Sequence, residues 1–124
     1  MIVLGLGGND ALRGADVGEI ERNLREIVRR SRAAGAQVLL LGMKIPPNYG
    51  PDYTGRFAAL YPRVAKDMRV PLVPFLLERV GGIPELNQAD GIHPTVVGQR
   101  KVADNVYPYL RDVLLQPRAA VAGR

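Results

Sequence analysis

The chain has 124 residues, a length that suggests one domain with a single hydrophobic core. Apolar residues make up 47% of it and charged residues 23%, as in ordinary globular proteins, and no apolar run is long enough to span a bilayer. Cysteine is absent, which excludes disulfides, cysteine–zinc sites and a thiol nucleophile.

The formal net charge is +5, and arginine supplies most of the positive charge. A basic balance can indicate a nucleic-acid or anionic-membrane partner. The arginines of residues 22–32, however, alternate with glutamates at helical spacing, which is typical of a solvated helix face. No aromatic side chains lie among them to stack on bases, so we expect no nucleic-acid partner.

The first part of the chain alternates predicted strands and a helix. Residues 2–6 form an apolar run that ends at a pair of glycines, which indicates a strand buried on both faces. A helix should follow, with Asp16 as its N-cap, Glu19 as the capping-box partner, and Gly35 just past its end. Residues 37–42 predict a second buried strand.

The alternation continues after residues 43–53, a loop rich in proline and glycine. A helix should begin near Asp52 or Thr54. Residues 70–75 predict a third strand, and its two prolines suggest that it lies near a sheet edge. After a long connection, Thr95 should cap a last helix. The side chains predicted to face the core are Phe57, Leu60, Tyr61, Val64 and Met68 in the first of these helices, and Val102, Val106, Leu110, Val113 and Leu114 in the last.

This order predicts an α/β fold, with a parallel sheet, right-handed crossovers and helices on both faces. In such sheets, sites form beyond the carboxyl ends of the strands. Three unusual loops follow the predicted strands: GGND at 7–10, PPNYG at 46–50 and ADGIHPT at 89–95. They should therefore meet along one rim of the sheet, and we expect a site there.

His93 is the only histidine of the chain, and Asp90 precedes it by three residues. A neutral imidazole can take a proton from a hydroxyl nucleophile, and a nearby carboxylate can hold its tautomer and stabilise the imidazolium. The spacing also suits a histidine that only caps or packs before the last helix. One histidine with scattered carboxylates lacks the ligand count of a zinc site, so we expect no metal.

Asn9 follows the first predicted strand and its pair of glycines. Its amide NH₂ could donate to a developing oxyanion, an interaction typically worth roughly 10² to 10³ in rate. An ordinary turn is the alternative, because Gly-Gly-Asn-Asp is common loop chemistry. The glycine-rich motifs of phosphate-binding loops are absent, which disfavours a flavodoxin-like nucleotide binder.

Taken together, GGND at 7–10 and DGIHP at 90–94 resemble the third and fifth sequence blocks of the SGNH (GDSL) hydrolase family. PPNYG at 46–50 and VPLVPF at 70–75 are similar to its thioesterase, lysophospholipase and arylesterase branch. The resemblance covers residues 2–115.

The resemblance implies a three-layer, flavodoxin-like parallel sheet, N-terminally truncated to about three strands. It also implies a serine ester or thioester hydrolase that acts on a small-molecule acyl ester or thioester and needs no metal or organic cofactor. The family's roles, carried onto matching positions, make His93 the general base, Asp90 its orienting residue, Asn9 and Gly8 the oxyanion hole, and Asp10, Leu12, Pro46 and Tyr49 substrate-binding residues.

The family's nucleophilic serine has no counterpart. The only serine, Ser31, lies in the middle of a predicted helix with arginines on either side. We therefore expect residues 1–115 to be the C-terminal part of a single SGNH hydrolase domain, residues 116–124 to be a flexible tail, and the isolated chain to be inactive. The alternative is a non-catalytic, SGNH-derived binding or partner-dependent module.

Without the strands that precede it in the family, the first strand would present an unpaired apolar edge, through which the chain could self-associate. The start of the chain has neither a basic n-region nor a cleavage site. A periplasmic or secreted location would require a signal peptide in the full-length gene, and otherwise a cytoplasmic location is expected.

Overall fold

The computed structural model describes residues 1–116, which form a three-stranded parallel sheet with helices on both faces. The strands are β1 (Ile2–Leu4), β2 (Val38–Leu41) and β3 (Leu72–Val73); the helices are α1 (Gly8–Leu12), α2 (Val17–Ala33), α3 (Pro51–Met68) and α4 (Val96–Leu115); short 3₁₀ turns cover Pro47–Tyr49 and Pro84–Leu86. The α/β fold and the parallel pairing predicted from the order of elements are confirmed. Apart from Gln116, the predicted tail lies outside the described residues.

The centre of the core is β2, which pairs with β1 on one side and β3 on the other. All four of its residues are buried. Because side chains alternate along a strand, Val38 and Leu40 pack against α2 and α3, whereas Leu39 and Leu41 face α4. This double burial explains why the sequence shows an unbroken apolar run there.

Strands β1 and β3 are shorter than the apolar runs 2–6 and 70–75 that predict them. Each has a single partner in the described sheet, and pairing ends where the chain turns into the following loop. The edge position that the prolines of the third strand predict is confirmed for β3.

Helix α2 begins and ends as its sequence predicts. Asp16 Oδ2 accepts a hydrogen bond from Glu19 N at 3.1 Å. Gly35 follows the helix with φ +84°, the left-handed conformation that glycine adopts without strain.

The charged face of α2 is not wholly solvated, which corrects the prediction. The Glu21 side chain is only 17% exposed, and it binds Arg63 of α3 at 2.6 Å and Arg25 of its own helix at 2.8 Å. The hydrogen bond from Arg63 is the largest cause of the lowered pKa of Glu21. Two helices packed side by side share this flank, so part of the charge pattern serves to join them.

The residues predicted to face the core are buried in α3, but one of those predicted in α4 is exposed. In α3, Phe57, Leu60, Tyr61 and Val64 are fully buried and Met68 is partly buried. In α4, Val113 is buried, but Leu114 is 62% exposed and its prediction is wrong. A residue turned by about 100° from Val113 faces away from the sheet, because α4 packs on β2 and β3 through the side that carries Val113. None of the helices within residues 1–116 is long and apolar enough to cross a membrane.

Strand β1 forms the second edge of the described sheet, and its open side is apolar. Ile2, Val3 and Leu6 are 38%, 43% and 55% exposed. Ile2 N donates to Gln37 O at 2.7 Å, so the backbone groups of the neighbouring Val3 point away from β2. Within residues 1–116, no strand pairs with this side of β1.

We expect the 124-residue chain to self-associate through β1, because an exposed strand edge recruits another strand. Val3→Lys, which places a charge at this edge, should shift the chain toward monomer in sedimentation velocity. Val97→Lys is the matched control, since Val97 is 53% exposed on α4 rather than on the sheet. A wild-type chain that sediments as a monomer at micromolar concentration and melts sharply would contradict this expectation.

Candidate active site

Asp90 and His93 are joined by hydrogen bonds in the loop before α4. Asp90 Oδ2 lies 2.6 Å from His93 Nδ1. Asp90 Oδ1 accepts the backbone N–H groups of Ile92 and His93 at 2.9 and 3.1 Å. One carboxyl group therefore both closes its own turn and orients the imidazole ring.

The hydrogen bond from His93, followed by those from the two backbone N–H groups, lowers the pKa of Asp90 from 3.8 to about 2. A carboxylate has no proton to donate, so at neutral pH His93 Nδ1 carries the hydrogen of this bond. Whenever the ring is neutral, Nε2 is the nitrogen with the available lone pair. It has no hydrogen-bond partner within residues 1–116, and the His93 side chain is 66% exposed.

The loop that carries this pair is closed by its own backbone. Gln88 N donates to His93 O at 2.7 Å, and Thr95 N donates to Leu86 O at 2.8 Å. The Thr95 hydroxyl accepts from Gly98 N at 3.2 Å, which confirms its predicted role as the cap of α4. The first turn of α4 and the base of the loop are therefore one connected unit.

Asn9 lies in the short helix α1 and not in the loop that its neighbouring glycines suggest. Gly7 precedes α1 with φ +112° and turns the chain out of β1. A Cβ at Gly7 would overlap the Tyr61 hydroxyl, which donates to Leu6 O at 2.9 Å. The start of α1 is thus held against α3, while the Asn9 amide has no hydrogen-bond partner within residues 1–116.

Two neighbouring cavities share Asn9 and Gly8. The larger, of about 900 Å³, has His93 in its wall together with these two residues. The smaller, of about 410 Å³, extends from Asn9 between the loops that follow β2 and β3. Its apolar lining includes Leu12, Ile45, Pro46, Phe75, Leu77 and Ile92.

Most of the site residues predicted from the sequence are brought together here. His93, Gly8, Asn9 and Asp10 line the larger cavity, and Gly8, Asn9, Leu12 and Pro46 line the smaller one.

Asp90 and Tyr49 lie outside the linings of these two cavities. Asp90 is behind His93, as an orienting residue would be. The Tyr49 hydroxyl donates to Leu12 O at 2.9 Å, and its ring stacks on Tyr53 with centroids 6.5 Å apart. Tyr49 therefore supports the wall that Leu12 forms instead of contributing its own surface.

Several lining residues were not predicted from the sequence. Lys44 borders the smaller cavity, with Nζ 4.7 Å from the centre of the Phe75 ring. Its charge next to the apolar, proline-rich stretch 45–47 was the available signal. Asn87 borders the same cavity, and no local pattern marks it, because its burial depends on how the long connection after β3 folds back.

The serine and threonine hydroxyls all bond to the backbone. Ser31 and Thr54 donate to carbonyls one turn earlier at 2.7 and 2.8 Å, and Thr95 caps α4. None of the three is hydrogen-bonded to His93, and Ser31 is buried within α2. Within residues 1–116, no cluster of three or more histidine, aspartate or glutamate side chains is arranged to hold a metal ion.

Residues 1–101 match the model of the GDSL-like Lipase/Acylhydrolase family. The chain belongs to this family. It is 46% identical over 114 residues to Esterase TesA of Pseudomonas aeruginosa, and the aligned region covers 92% of this chain and 57% of that protein. It is also 44% identical over 103 residues to the Escherichia coli K12 protein named Thioesterase 1/protease 1/lysophospholipase L1. That aligned region covers 83% of this chain and 50% of the relative.

The family fold is also evident in three dimensions. A crystal structure of TesA matches with a TM-score of 0.87 at 46% identity, over 91% of this chain and 63% of that chain. The three-stranded sheet described above is therefore part of the α/β fold of GDSL (SGNH) hydrolases. The chain spans about half the length of the curated relatives that it matches.

Replacing His93 should raise the pKa of Asp90. The hydrogen bond from His93 favours the carboxylate, so His93→Ala should move the Asp90 midpoint from about 2 toward its ordinary value of 3.8, with some depression left by the backbone donors. Carbon-detected NMR of the carboxyl group measures this midpoint. The lowered pKa of Glu21, which depends on Arg63 and Arg25, is the internal control and should not change.

The Asp90–His93 pair should also make the stability of the chain depend on pH in the acid range. A depressed pKa contributes stability that is present above pH 3.8 and is lost as the pH falls toward 2. Unfolding in denaturant should therefore show a steeper loss of stability across this window in the wild type than in His93→Ala. Equal slopes, or an Asp90 midpoint unaffected by the substitution, would show that the pair is not formed in solution.

Proposed function

We propose that this chain supplies the base, the orienting carboxylate and an oxyanion donor of a serine ester or thioester hydrolase. The observation that carries the proposal is the position of His93. Asp90 holds its Nδ1, its Nε2 is unpartnered within residues 1–116, and it shares a cavity wall with Asn9. Family membership supports the same reaction class.

In the proposed reaction, His93 Nε2 removes the proton from a serine hydroxyl as the serine oxygen attacks the acyl carbon. The Asp90 carboxylate stabilises the imidazolium that forms. The Asn9 amide, with the backbone N–H of Gly8, donates to the oxyanion. His93 then protonates the departing alkoxide or thiolate, and a water activated by the same nitrogen releases the acid.

The nucleophile is proposed to belong to a segment that this sequence does not contain. None of the three serine and threonine hydroxyls is hydrogen-bonded to His93. Residues 1–115 would then be the C-terminal part of a single hydrolase domain, and no metal or organic cofactor takes part.

The smaller cavity is proposed to receive the acyl or aryl group. It adjoins Asn9, and apolar side chains such as Leu12, Pro46 and Phe75 line it. Relatives are named as an esterase and as a thioesterase and lysophospholipase, so an acyl ester or thioester is the proposed substrate class.

A second candidate is a non-catalytic binding module. The observation that favours it is the absence of any serine or threonine hydroxyl hydrogen-bonded to His93 among the described residues. Such a module would bind an acyl group in the smaller cavity, or a partner at the β1 edge, without turnover.

The isolated chain should hydrolyse p-nitrophenyl esters no faster than the buffer and should not react with a fluorophosphonate probe, because both require an activated serine. The decisive test uses a chimera that joins this chain to the part of Pseudomonas aeruginosa TesA that it does not cover. Release of p-nitrophenol by the chimera would support the hydrolase proposal, and a folded but inert chimera would favour the binding module.

Variants of the chimera test the assigned roles. His93→Ala should abolish base catalysis, and Asn9→Ala should lower kcat by roughly 10² to 10³ with little effect on KM. Ser31→Ala is the control, since its hydroxyl only bonds to Ile27 O within α2, and it should retain full activity. Activity that survives in His93→Ala would overturn the assignment.

A further inference from the structure

Asn87 is a buried polar side chain in the wall of the smaller cavity. The residue is 9% exposed, and it borders the smaller cavity but not the larger one. Its Nδ2 donates to Val80 O at 2.8 Å and to Ile83 O at 2.9 Å. Both amide hydrogens are therefore used to hold the connection between β3 and α4.

These two bonds settle which way the amide faces. Val80 and Ile83 offer carbonyl oxygens, which can only accept, so the NH₂ group must be directed at them. The Asn87 Oδ1 atom is the group left over. It has no hydrogen-bond partner within residues 1–116, and solvent can reach it.

The smaller cavity is therefore lined, in a largely apolar wall, by a residue whose side chain keeps an acceptor that is unpartnered within residues 1–116. Lys44 is the charged residue of this wall. Its ammonium group only donates hydrogen bonds, so it does not compete with Asn87 Oδ1 for a donor group on the ligand. Its positive charge disfavours an amine or other cation in the same space. A neutral hydroxyl meets both conditions, because it can donate to Asn87 and carries no charge.

We propose that Asn87 Oδ1 accepts a hydrogen bond from a hydroxyl group on the acyl chain, so that the smaller cavity prefers hydroxylated acyl groups. This inference rests on the proposed function of the cavity as the acyl site. It makes Asn87 a specificity-determining residue with no part in the chemical step.

The test compares ligands that differ only in the donor. Isothermal titration calorimetry of the 124-residue chain with decanoate and with a set of monohydroxydecanoates keeps the carboxylate and chain length constant, so contacts with Lys44 cancel. At least one hydroxydecanoate should bind about 3- to 10-fold more tightly than decanoate, as expected for one hydrogen bond to a buried acceptor. Its methyl ether, which has no donor, should lose this gain.

A matched pair of variants assigns the effect to Asn87. Asn105 of α4 also donates through Nδ2 to two carbonyls of the same connection, Leu76 O at 3.1 Å and Glu78 O at 2.8 Å, but it lines neither cavity. Asn105→Leu should lower the melting temperature and keep the preference for the hydroxylated acid. Asn87→Leu should abolish the preference; if it does not fold, the methyl ether comparison in the wild type decides the question.

The inference would be overturned by hydroxydecanoates that all bind no more tightly than decanoate, or by a preference that the methyl ether or Asn87→Leu retains. A chain that binds none of the acids would overturn it as well. The hydrolase proposal is judged separately by the activity of the chimera, so the two can fail independently.

Discussion

Close backbone contacts at the carboxyl ends of the strands hold the candidate site together. Gly42 follows β2; its N–H donates to the end of β3 at 2.8 Å, and its carbonyl accepts from Leu76 N at 2.8 Å. A Cβ at Gly42 would overlap the Pro74 carbonyl, so the loops after β2 and β3 meet only because this residue has no side chain. Gly7 and Tyr61 make a similar junction between β1 and α3. These contacts set the distance between the walls of both cavities.

The candidate catalytic pair is ordered in a different way. Asp90 and His93 are exposed, so their arrangement depends on short local hydrogen bonds instead of burial. The connection that leads to this loop is held by Asn87 and Asn105, each of which donates to two backbone carbonyls. An accessible Nε2 on a well-supported loop suits the proposed base, which would meet a nucleophile from another segment.

The features predicted well from the sequence depend on near neighbours. Asp16 and Thr95 cap α2 and α4 through groups three residues away, and Asp90 reaches His93 over the same separation. Leu114 and Glu21 show where such reasoning ends. Whether a helical side chain is buried, exposed or bonded to another helix depends on which element covers that side, and this information is not local.

Apart from the short helix α1, the sequence by itself determined the order of strands and helices, the helix caps and the Asp90–His93 pair, because each requires only residues close together in the chain. The strand order also predicted that the loops carrying Asn9 and His93 meet at one rim, as they do. Tertiary structure alone decided that Tyr49 supports Leu12 from behind and that Asn87 is buried beside an apolar cavity. The physical reason is that parallel pairing joins loops separated by tens of residues. Their side-chain contacts are set by packing across those loops, which no local pattern encodes.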